Sequence, residues 1–203
     1  TSSADDFNLN TYTDAATGIN PFATGTGGYY GAVDGAAGND TFTADLSAFD
    51  TDLRMTGTTT KTLSNGGPVN VSFANFENIN VTAGGGNDLL TAGAGNDSLS
   101  GGAGNDVLRI GTVQGTDRYD GGAGVDWLIA SWAGVAANLS LTATGGTLNG
   151  TLIANMERFN VSTGSGDDTV VTRTTAAYAD RIDTGAGNDN VTIGAGNDRA
   201  NGG

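Results

Sequence analysis

Large apolar residues recur at nine-residue intervals along much of the chain, with small and polar residues between them. Leu90, Leu99 and Leu108 show the interval most regularly. A single apolar position flanked by polar ones predicts a short strand whose middle side chain points inward. We expect this inward orientation at all equivalent positions, which are Phe42, Leu90, Leu99, Leu108, Tyr119, Leu128, Val170, Ile182 and Val191, with Ala200 as an undersized exception.

The six residues before each predicted strand form a glycine-rich turn. The full repeat reads G-G-x-G-x-D-x-U-x, in which U is the large apolar residue. Glycine at positions 1, 2 and 4 permits a positive φ, and asparagine at position 5 tolerates the same left-handed region. Copies occupy residues 83–91, 92–100, 101–109, 112–120, 121–129, 175–183, 184–192 and 193–201, with isolated copies at 35–43 and 163–171.

A longer repeat is superimposed on the nonapeptides. Residues 73–88 read FANFENINVTAGGGND, and residues 153–168 read IANMERFNVSTGSGDD. Each copy follows a stretch in which apolar residues alternate with polar ones, as at Val69, Val71 and Phe73, and this alternation predicts β-strands. The chain is therefore expected to contain two related units, each a β-rich insert that leads into a block of nonapeptides.

These patterns predict the domain organisation. We expect a repeat domain over residues 26–203, preceded by an N-terminal extension or cap at residues 1–25. The β-rich inserts fall at about 44–82 and 130–162. The sequence leaves open whether the inserts continue the stacked strands or fold over them.

Composition narrows the class of function. The formal net charge is −14, the chain has 35 glycines, and the only glutamates among its 22 acidic residues are Glu77 and Glu157. This balance argues against nucleic acid and anionic membranes and favours cations as partners. There is no Cys or His, which excludes disulfides, His-dependent catalytic triads and His-ligated zinc. No apolar run is long enough to insert into a membrane, and we expect a non-enzymatic protein.

The spacing of the aspartates predicts a cation site. If two nonapeptides make one coil, residues 18 apart stack on the same edge, so that Asp88 lies over Asp106 and Asp180 over Asp198. Two carboxylates about 4.8 Å apart repel by roughly 3 kcal/mol at an effective dielectric near 20. A hard cation that takes six or more oxygen ligands converts this repulsion into cohesion, and Ca²⁺ fits better than Mg²⁺ or Zn²⁺. We therefore expect several Ca²⁺ ions and folding that is coupled to their binding.

Some acidic residues depart from the pattern. The turns before Asp117 and Asp180 lack most of their glycines, so these two aspartates are weaker candidates for ligands. A two-residue slip at 110–111 and a gap at 172–174 are expected to break the 18-residue stacking, which can cost a site at each place. Asp45, Asp50 and Asp52 lie off the motif and are expected to be solvated, and Glu77 and Glu157 are expected to be structural.

The nonapeptides resemble the RTX, or hemolysin-type, calcium-binding repeat family. The resemblance covers roughly half of the chain directly, and it implies an all-β fold, a right-handed parallel β-roll. It also implies that aspartate side chains at position 6 and backbone carbonyls at positions 2 and 4 bind calcium. The implied ligands are Asp40, Gly84, Gly86, Asp88, Gly93, Gly95, Asp97, Gly102, Gly104, Asp106, Asp117, Gly122, Gly124, Asp126, Gly164, Gly166, Asp168, Asp180, Gly185, Gly187, Asp189, Gly194, Gly196 and Asp198.

The resemblance further implies type I secretion from a Gram-negative bacterium and folding outside the cell. Two hypotheses for the parent protein stay open. The first is a structural or adhesive surface protein, such as an S-layer protein, adhesin or filament, which self-assembles or contacts neighbouring proteins or polysaccharide. The second is an accessory module of a secreted protease, lipase or polysaccharide epimerase. A third and weaker hypothesis, cleavage of polysaccharide by the roll itself, depends on Arg109, Arg118, Arg173, Arg181 and Arg199.

Trp127 lies at position 7 of its repeat and is expected to face outward, beside Ile129. In one interpretation an insert packs over both side chains. In the other they form an exposed patch for a sugar or a protein.

Overall fold

The computed structural model describes residues 6–9, 29–57, 60–111, 115–136, 138–142, 146–148, 151–172 and 177–203. Most of residues 1–25, residues 112–114 and Arg173 lie outside the described residues. Regular structure within the described ranges is entirely β-strand. In chain order the strands are β1 (Asp6–Asn8), β2 (Tyr29–Asp34), β3 (Thr41–Asp45), β4 (Arg54–Thr56), β5 (Thr60–Ser64), β6 (Val69–Ala74), β7 (Asn78–Thr82), β8 (Leu89–Thr91), β9 (Ser98–Gly104), β10 (Val107–Ile110), β11 (Arg118–Gly124), β12 (Trp127–Ser131), β13 (Ser140–Thr142), β14 (Gly146–Leu148), β15 (Thr151–Ala154), β16 (Arg158–Ser162), β17 (Thr169–Val171), β18 (Arg181–Asp183), β19 (Asn190–Thr192) and β20 (Arg199–Asn201).

The strands form three sheets in which most neighbours are parallel. The first sheet has the order β1-β3-β7-β9-β11-β15-β14, the second β2-β6-β5-β4-β8-β10-β12-β16-β18-β20, and the third β13-β17-β19. From β7 to β12 the chain alternates strictly between the first and second sheets, and from β17 to β20 it alternates between the third and second. The third sheet follows the first, because β13 contacts β14. The chain therefore winds between two stacked walls of parallel strands.

Antiparallel pairing among the described strands is confined to the β-rich inserts. β5 is antiparallel to both β4 and β6, and β14 is antiparallel to β15. These strands lie within the stacked sheets, since β4 also pairs in parallel with β8 and β15 with β11. The second sheet consequently holds β5 and β4 between β6 and β8, whereas the first sheet passes directly from β7 to β9.

The predicted inward positions form the core. The side chains of Phe42, Leu90, Leu99, Leu108, Tyr119, Leu128, Val170 and Ile182 are all buried. Val191 is only partly buried, and Ala200 is exposed. The predicted core is thus confirmed, and it becomes thin at the C-terminal coils.

The N-terminal insert adds a second set of buried apolar side chains. Met55, Leu63 and Val71 are fully buried, and the Phe42 and Phe73 rings stack with centroids 3.9 Å apart. Burying one such side chain contributes about 1.5–3 kcal/mol. The N-terminal coils therefore have a much larger core than one apolar residue in nine provides.

Two edges connect the walls. Edge I consists of the segments that lead into the second sheet, at residues 46–53, 83–88, 101–106, 121–126, 155–157, 177–180 and 193–198, in which 101–104 and 121–124 still belong to β9 and β11. Edge II consists of the segments that leave the second sheet, at residues 35–40, 75–77, 92–97, 115–117, 132–136, 138–139, 163–168 and 184–189. Every predicted metal ligand lies on one of these edges.

Candidate metal centre

The predicted aspartates stand in two columns, one on each edge. Edge I carries Asp88, Asp106, Asp126, Asp180 and Asp198, with Gly84, Gly86, Gly102, Gly104, Gly122, Gly124, Gly194 and Gly196 in the same turns. Edge II carries Asp40, Asp97, Asp117, Asp168 and Asp189, with Gly93, Gly95, Gly164, Gly166, Gly185 and Gly187. Eight of these ten aspartates are at most 6% exposed, and only Asp189 and Asp198 are more open.

Hydrogen bonds join successive aspartates on edge I in two runs, Asp88 to Asp126 and Asp180 to Asp198. The Asp88 amide donates to Oδ1 of Asp106 at 2.8 Å, and the Asp106 amide donates to Oδ1 of Asp126 at 2.8 Å. The Asp180 amide donates to Oδ1 of Asp198 at 2.9 Å. The stacking that the 18-residue spacing predicted for Asp88 and for Asp180 is therefore confirmed.

Edge II repeats the arrangement. The Asp97 amide donates to Oδ1 of Asp117 at 2.8 Å, and the Asp168 amide donates to Oδ1 of Asp189 at 3.0 Å. At the beginning of each run the donor is the amide of an apolar residue, as with Leu139 and Oδ1 of Asp168 at 2.8 Å. One carboxylate oxygen per aspartate thus connects two coils.

The slip and the gap end the 18-residue spacing, as expected, but the hydrogen bonds between coils continue across both. Across the slip at 110–111, the Asp97 amide donates to Asp117 and the Asp106 amide donates to Asp126, with a separation of 20 residues instead of 18. Across the gap after Thr172, the Phe159 amide donates to Oδ1 of Asp180 at 3.0 Å and the Asp168 amide donates to Oδ1 of Asp189, each with a separation of 21 residues.

The second carboxylate oxygen is left without a partner at several positions. Oδ2 of Asp88, Asp106, Asp126 and Asp168 is buried and accepts no hydrogen bond. A buried anionic oxygen without a donor costs several kcal/mol unless a charge or donor compensates it. These oxygens are the strongest indication of a cation in the described part of the chain.

Burial also raises the pKa of several aspartates in the two columns. It raises the pKa of Asp88, Asp106 and Asp126 to about 6, against backbone hydrogen bonds that lower it. The charge of Asp88 adds to the rise at Asp106, and the charge of Asp106 adds to the rise at Asp126. Burial likewise raises the pKa of Asp117 and Asp180. The ionised carboxylates of these columns are therefore unfavourable, because they are buried and repel one another, and a cation would offset that cost.

Glu77 and Glu157 replace an aspartate where an insert joins the column. Oε2 of Glu77 accepts the Asp40 amide at 2.9 Å, and Oε2 of Glu157 accepts the Asp126 amide at 3.0 Å. The preceding Asn75 and Asn155 both have positive φ, 56° and 52°. The longer glutamate side chain carries the ladder across the shorter N-x-E turn, which confirms the predicted structural role.

The asparagines at position 5 form a second ladder, which the sequence reasoning missed. The Asn105 amide donates to Oδ1 of Asn87 at 2.9 Å, and the Val125 amide donates to Oδ1 of Asn105 at 2.9 Å. These asparagines do not use the left-handed region that they tolerate, because among the described non-glycine residues only Ala36, Asn75 and Asn155 have a positive φ. Asparagine at position 5 is explained by its side-chain oxygen, which accepts a backbone amide of the next coil.

Asp52 begins this second ladder on edge I. Its Oδ1 accepts the Asn87 amide at 2.8 Å. Asp52 is exposed as predicted, but it is not merely solvated, because it extends the ladder into the N-terminal insert. Asp45 instead closes a local turn through its Oδ1, which accepts the Ser47 amide at 3.1 Å.

Glycine in the turns permits close stacking of the coils. A Cβ on Gly102 would collide with the Gly84 carbonyl oxygen, and a Cβ on Gly104 would collide with the Gly86 carbonyl oxygen. Gly104 also has a φ of 134°, which residues with a side chain rarely adopt. The absence of a side chain therefore leaves carbonyl oxygens directed at the neighbouring turn, beside the aspartates.

Asp97 on edge II differs from the aspartates of edge I. Its Oδ1 accepts the Ile79 amide and its Oδ2 accepts the Gly93 amide, each at 2.8 Å. Burial raises the Asp97 pKa to about 6, and these two hydrogen bonds and the nearby Lys61 ammonium oppose the rise. Asp97 thus already has partners for both oxygens.

The donor set of edge I fits calcium. No group of three or more acidic side chains within the described residues is close enough to hold a metal by itself, so a site there combines carboxylates with backbone carbonyls. Oδ2 of Asp106 and the Gly121 carbonyl oxygen both face the space above Gly101, where an added Cβ would lie 2.6 Å from the latter. Carboxylate and carbonyl oxygens are the ligands that Ca²⁺ takes in proteins.

These features define a class of protein in which parallel strands are joined by glycine-rich turns with stacked carboxylates. A family-level comparison matches four copies of the RTX calcium-binding nonapeptide repeat at residues 80–109, 113–132 and 174–203. In these segments the chain belongs to the RTX calcium-binding repeat family. Comparisons with curated proteins and with solved structures each gave no significant match. Among the described residues there is no helix that could cross a membrane.

The pKa shifts predict how the calcium-free protein responds to pH. For Asp88, Asp97, Asp106 and Asp126 the pKa rises from 3.8 unfolded to about 6 folded. The folded state therefore binds more protons, so their contribution to stability is present below the unfolded pKa and is lost as pH rises through the folded pKa. We expect calcium-stripped protein to melt at a higher temperature near pH 5 than near pH 7.5. A higher melting temperature near pH 7.5 would contradict this expectation.

Proposed function

We propose that the chain is a calcium-dependent structural module of a secreted, cell-surface protein and has no catalytic role. In this proposal residues 26–203 form a right-handed parallel β-roll, and residues 1–25 form an extension or cap. The observation that carries it is the row of buried Oδ2 atoms at Asp88, Asp106 and Asp126, which have no hydrogen-bond donor. The proposed ligands are the position-6 aspartates and the turn carbonyls of both edges.

The chain itself supplies the coupling between ion binding and folding. The ladder of amide-to-Oδ1 bonds fixes each carboxylate against the preceding coil, so the unpaired oxygens can converge only when the coils are stacked. Calcium, when bound, supplies the positive charge that offsets their mutual repulsion. Because the unfolded chain has no such preformed site, calcium binds only the folded chain, and the free energy of binding adds to the stability of the folded state.

A calcium titration followed by far-ultraviolet circular dichroism tests this proposal. We expect a reversible gain of β signal at roughly 0.1–1 mM Ca²⁺, the range of extracellular modules, and no equivalent gain with Mg²⁺. Chelation with EGTA is expected to reverse the change. An identical spectrum with and without calcium would rule out metal-coupled folding.

A second role, contact with an acidic polymer, is favoured by the outer face of the second sheet. Five of the chain's basic residues lie on this face, in strands β4, β10, β16, β18 and β20: Arg54, Arg109, Arg158, Arg181 and Arg199. Parallel register places Arg181 beside Arg199. The ion pair of Arg118 with Asp120 lies on the first sheet. None of the five arginines forms an ion pair within the described residues, although Arg158 lies near the Asp180 carboxylate and its charge opposes the rise of the Asp180 pKa. This face therefore collects positive charge, although the whole chain is strongly negative.

Apolar side chains complete this outer face. Leu89, Val107, Trp127 and Ile129 line a groove of about 320 Å³ together with Arg54 and Arg109, and Asp52 and Asp88 border the same groove where it meets edge I. The Arg158 guanidinium lies 4.1 Å from the centroid of the Trp127 ring. The group that covers Trp127 is thus an arginine from the next strand, and the inserts lie within the sheets. A face with arginine and aromatic groups suits an acidic polysaccharide, which supports the adhesive hypothesis.

We expect the double substitution Arg54→Gln and Arg109→Gln to weaken binding to an immobilised carboxylated polysaccharide by roughly tenfold in calcium at low salt. Arg118→Gln is the matched control, because Arg118 is an exposed arginine on the other wall. Surface plasmon resonance measures the affinity, and thermal melting is expected to be unchanged for the double variant. Equal binding by the double variant and the wild type would exclude this face as the contact surface.

A further inference from the structure

Lys61 is the only lysine in the chain. It is buried at a level where the second sheet contains two more strands than the first. It lies on β5 beside Phe73 of β6, and it is 7% exposed. At this level the second sheet holds β4 and β5 between β6 and β8, while β7 and β9 pair directly in the first. Edge II is therefore widened where turn 92–97 begins, whereas Gly95 further along the same turn packs directly against the Glu77 carbonyl oxygen, with which an added Cβ would collide.

The Lys61 side chain fills the widened space. Its Nζ donates to the carbonyl oxygens of Thr91 at 3.2 Å and Ala92 at 3.4 Å, where turn 92–97 begins. A Cβ built on Gly93 would lie 3.8 Å from Lys61 Cε and 4.0 Å from Asp97 Oδ2. The ammonium group therefore lies among backbone carbonyls and close to a buried carboxylate, which are the groups that surround a cation.

The opposite side of the same space belongs to the preceding turn. A cavity of about 150 Å³ is lined by Lys61, Glu77, Gly93 and Ala94, among others. Glu77 is the residue that replaces a column aspartate in turn 75–77, and its Oε2 accepts the Asp40 amide. Lys61 thus borders a cavity that turn 75–77 lines on one side and the start of turn 92–97 on the other, with Asp97 as its acidic neighbour.

We propose that the Lys61 ammonium is a built-in cation of edge II, occupying the interface between turns 75–77 and 92–97 in place of a calcium ion. The proposal rests on the calcium role proposed for the other turns, because it assigns Lys61 the same electrostatic task. Both oxygens of Asp97 already accept backbone amides, unlike Asp88, Asp106 and Asp126, whose Oδ2 atoms have no donor. This interface therefore closes without metal, next to the aromatic core of the N-terminal coils.

Hydrogen exchange of the two amides bonded to Asp97 reports on this interface. In calcium-free buffer we expect the Ile79 and Gly93 amides to be protected in the wild type and to lose protection by roughly tenfold or more in Lys61→Met, which keeps the bulk but removes the charge. Arg54→Met is the matched control, because it removes one positive charge from an exposed position on the neighbouring strand β4. Unchanged protection in Lys61→Met would overturn the proposal.

The number of bound ions gives an independent measurement if Lys61→Met does not fold without calcium. We expect Lys61→Ala, which empties the space, to bind one more Ca²⁺ per chain than the wild type in equilibrium dialysis at saturating calcium. An unchanged number would overturn the proposal. Failure of the calcium proposal itself is separately visible, because the Asp88 and Asp106 amides of the wild type would then gain no protection when calcium is added.

Discussion

In calcium-free buffer the C-terminal coils, residues 177–203, are expected to lose their structure while the N-terminal coils stay folded. The strands in this region contribute little to the core: β19 has only the partly buried Val191, and every residue of β20 is exposed. Ile182 is the single fully buried apolar side chain of β18. Backbone ordering costs about 1–2 kcal/mol per residue, so three short strands with one buried side chain cannot hold these coils together without a cation.

The N-terminal coils differ because their core does not depend on the nonapeptides alone. Phe42, Phe73, Met55 and Leu63 are all at most 2% exposed, and the Phe42 ring also lies 5.8 Å from the Phe76 ring in an edge-to-face arrangement. Such aromatic pairs add about 0.5–1.5 kcal/mol beyond the area they bury. Calcium-coupled folding is therefore expected to be graded along the chain, with the insert as its starting point.

Hydrogen–deuterium exchange followed by mass spectrometry distinguishes the two regions. We expect peptides from 177–203 to exchange completely in EGTA and to become protected in millimolar calcium, whereas peptides from 60–82 stay protected in both. Limited proteolysis is expected to cleave the same C-terminal region only in EGTA. Uniform exchange along the whole chain in EGTA would contradict graded folding and would indicate that calcium controls a single cooperative unit.

The sequence predicted the parts of the fold that a fixed repeat controls. The nine-residue frame determines which side chain of each short strand points inward, and Leu90, Leu99 and Leu108 are buried accordingly. The stacking of Asp88 on Asp106 follows from the same frame, because two nine-residue repeats make one coil. These features are local in sequence, because every coil repeats the same turn and the same strand.

Features that depend on contact between coils were not predictable from one repeat. The ladder of Asn87 and Asn105 requires the distance between adjacent turns, although an asparagine at the same place in successive coils is a signal that could have suggested it. The continuity of the column across the slip at 110–111, with a separation of 20 residues, likewise depends on contacts between coils. Lys61 was visible as a lysine two residues before the inward Leu63, but the charge near it, that of Asp97, comes from a turn that the sequence alone does not place nearby.

Asp106→Asn is expected to have opposite effects on stability with and without calcium. Asn keeps the side-chain oxygen that accepts the Asp88 amide, so the ladder survives the substitution. It removes a carboxylate whose pKa is raised to about 6 by burial first and by the charges of Asp88 and Asp52 next. Without calcium and near neutral pH, the variant is expected to melt at a higher temperature than the wild type, because a buried charge has been removed.

With calcium the order is expected to reverse. Asp106 stands between Asp88 and Asp126 in the column, so the loss of its charge weakens cation binding on both sides, and we expect the calcium midpoint of folding to rise by roughly tenfold or more. Asp45→Asn is the matched control, since it makes the same chemical change at an exposed residue outside the columns. Thermal melts of the three proteins in EGTA and in millimolar calcium measure both effects. If Asp106→Asn were destabilised equally in both conditions, Asp106 would act only through packing and hydrogen bonding, and the unpaired oxygens of the column would need an explanation other than a cation.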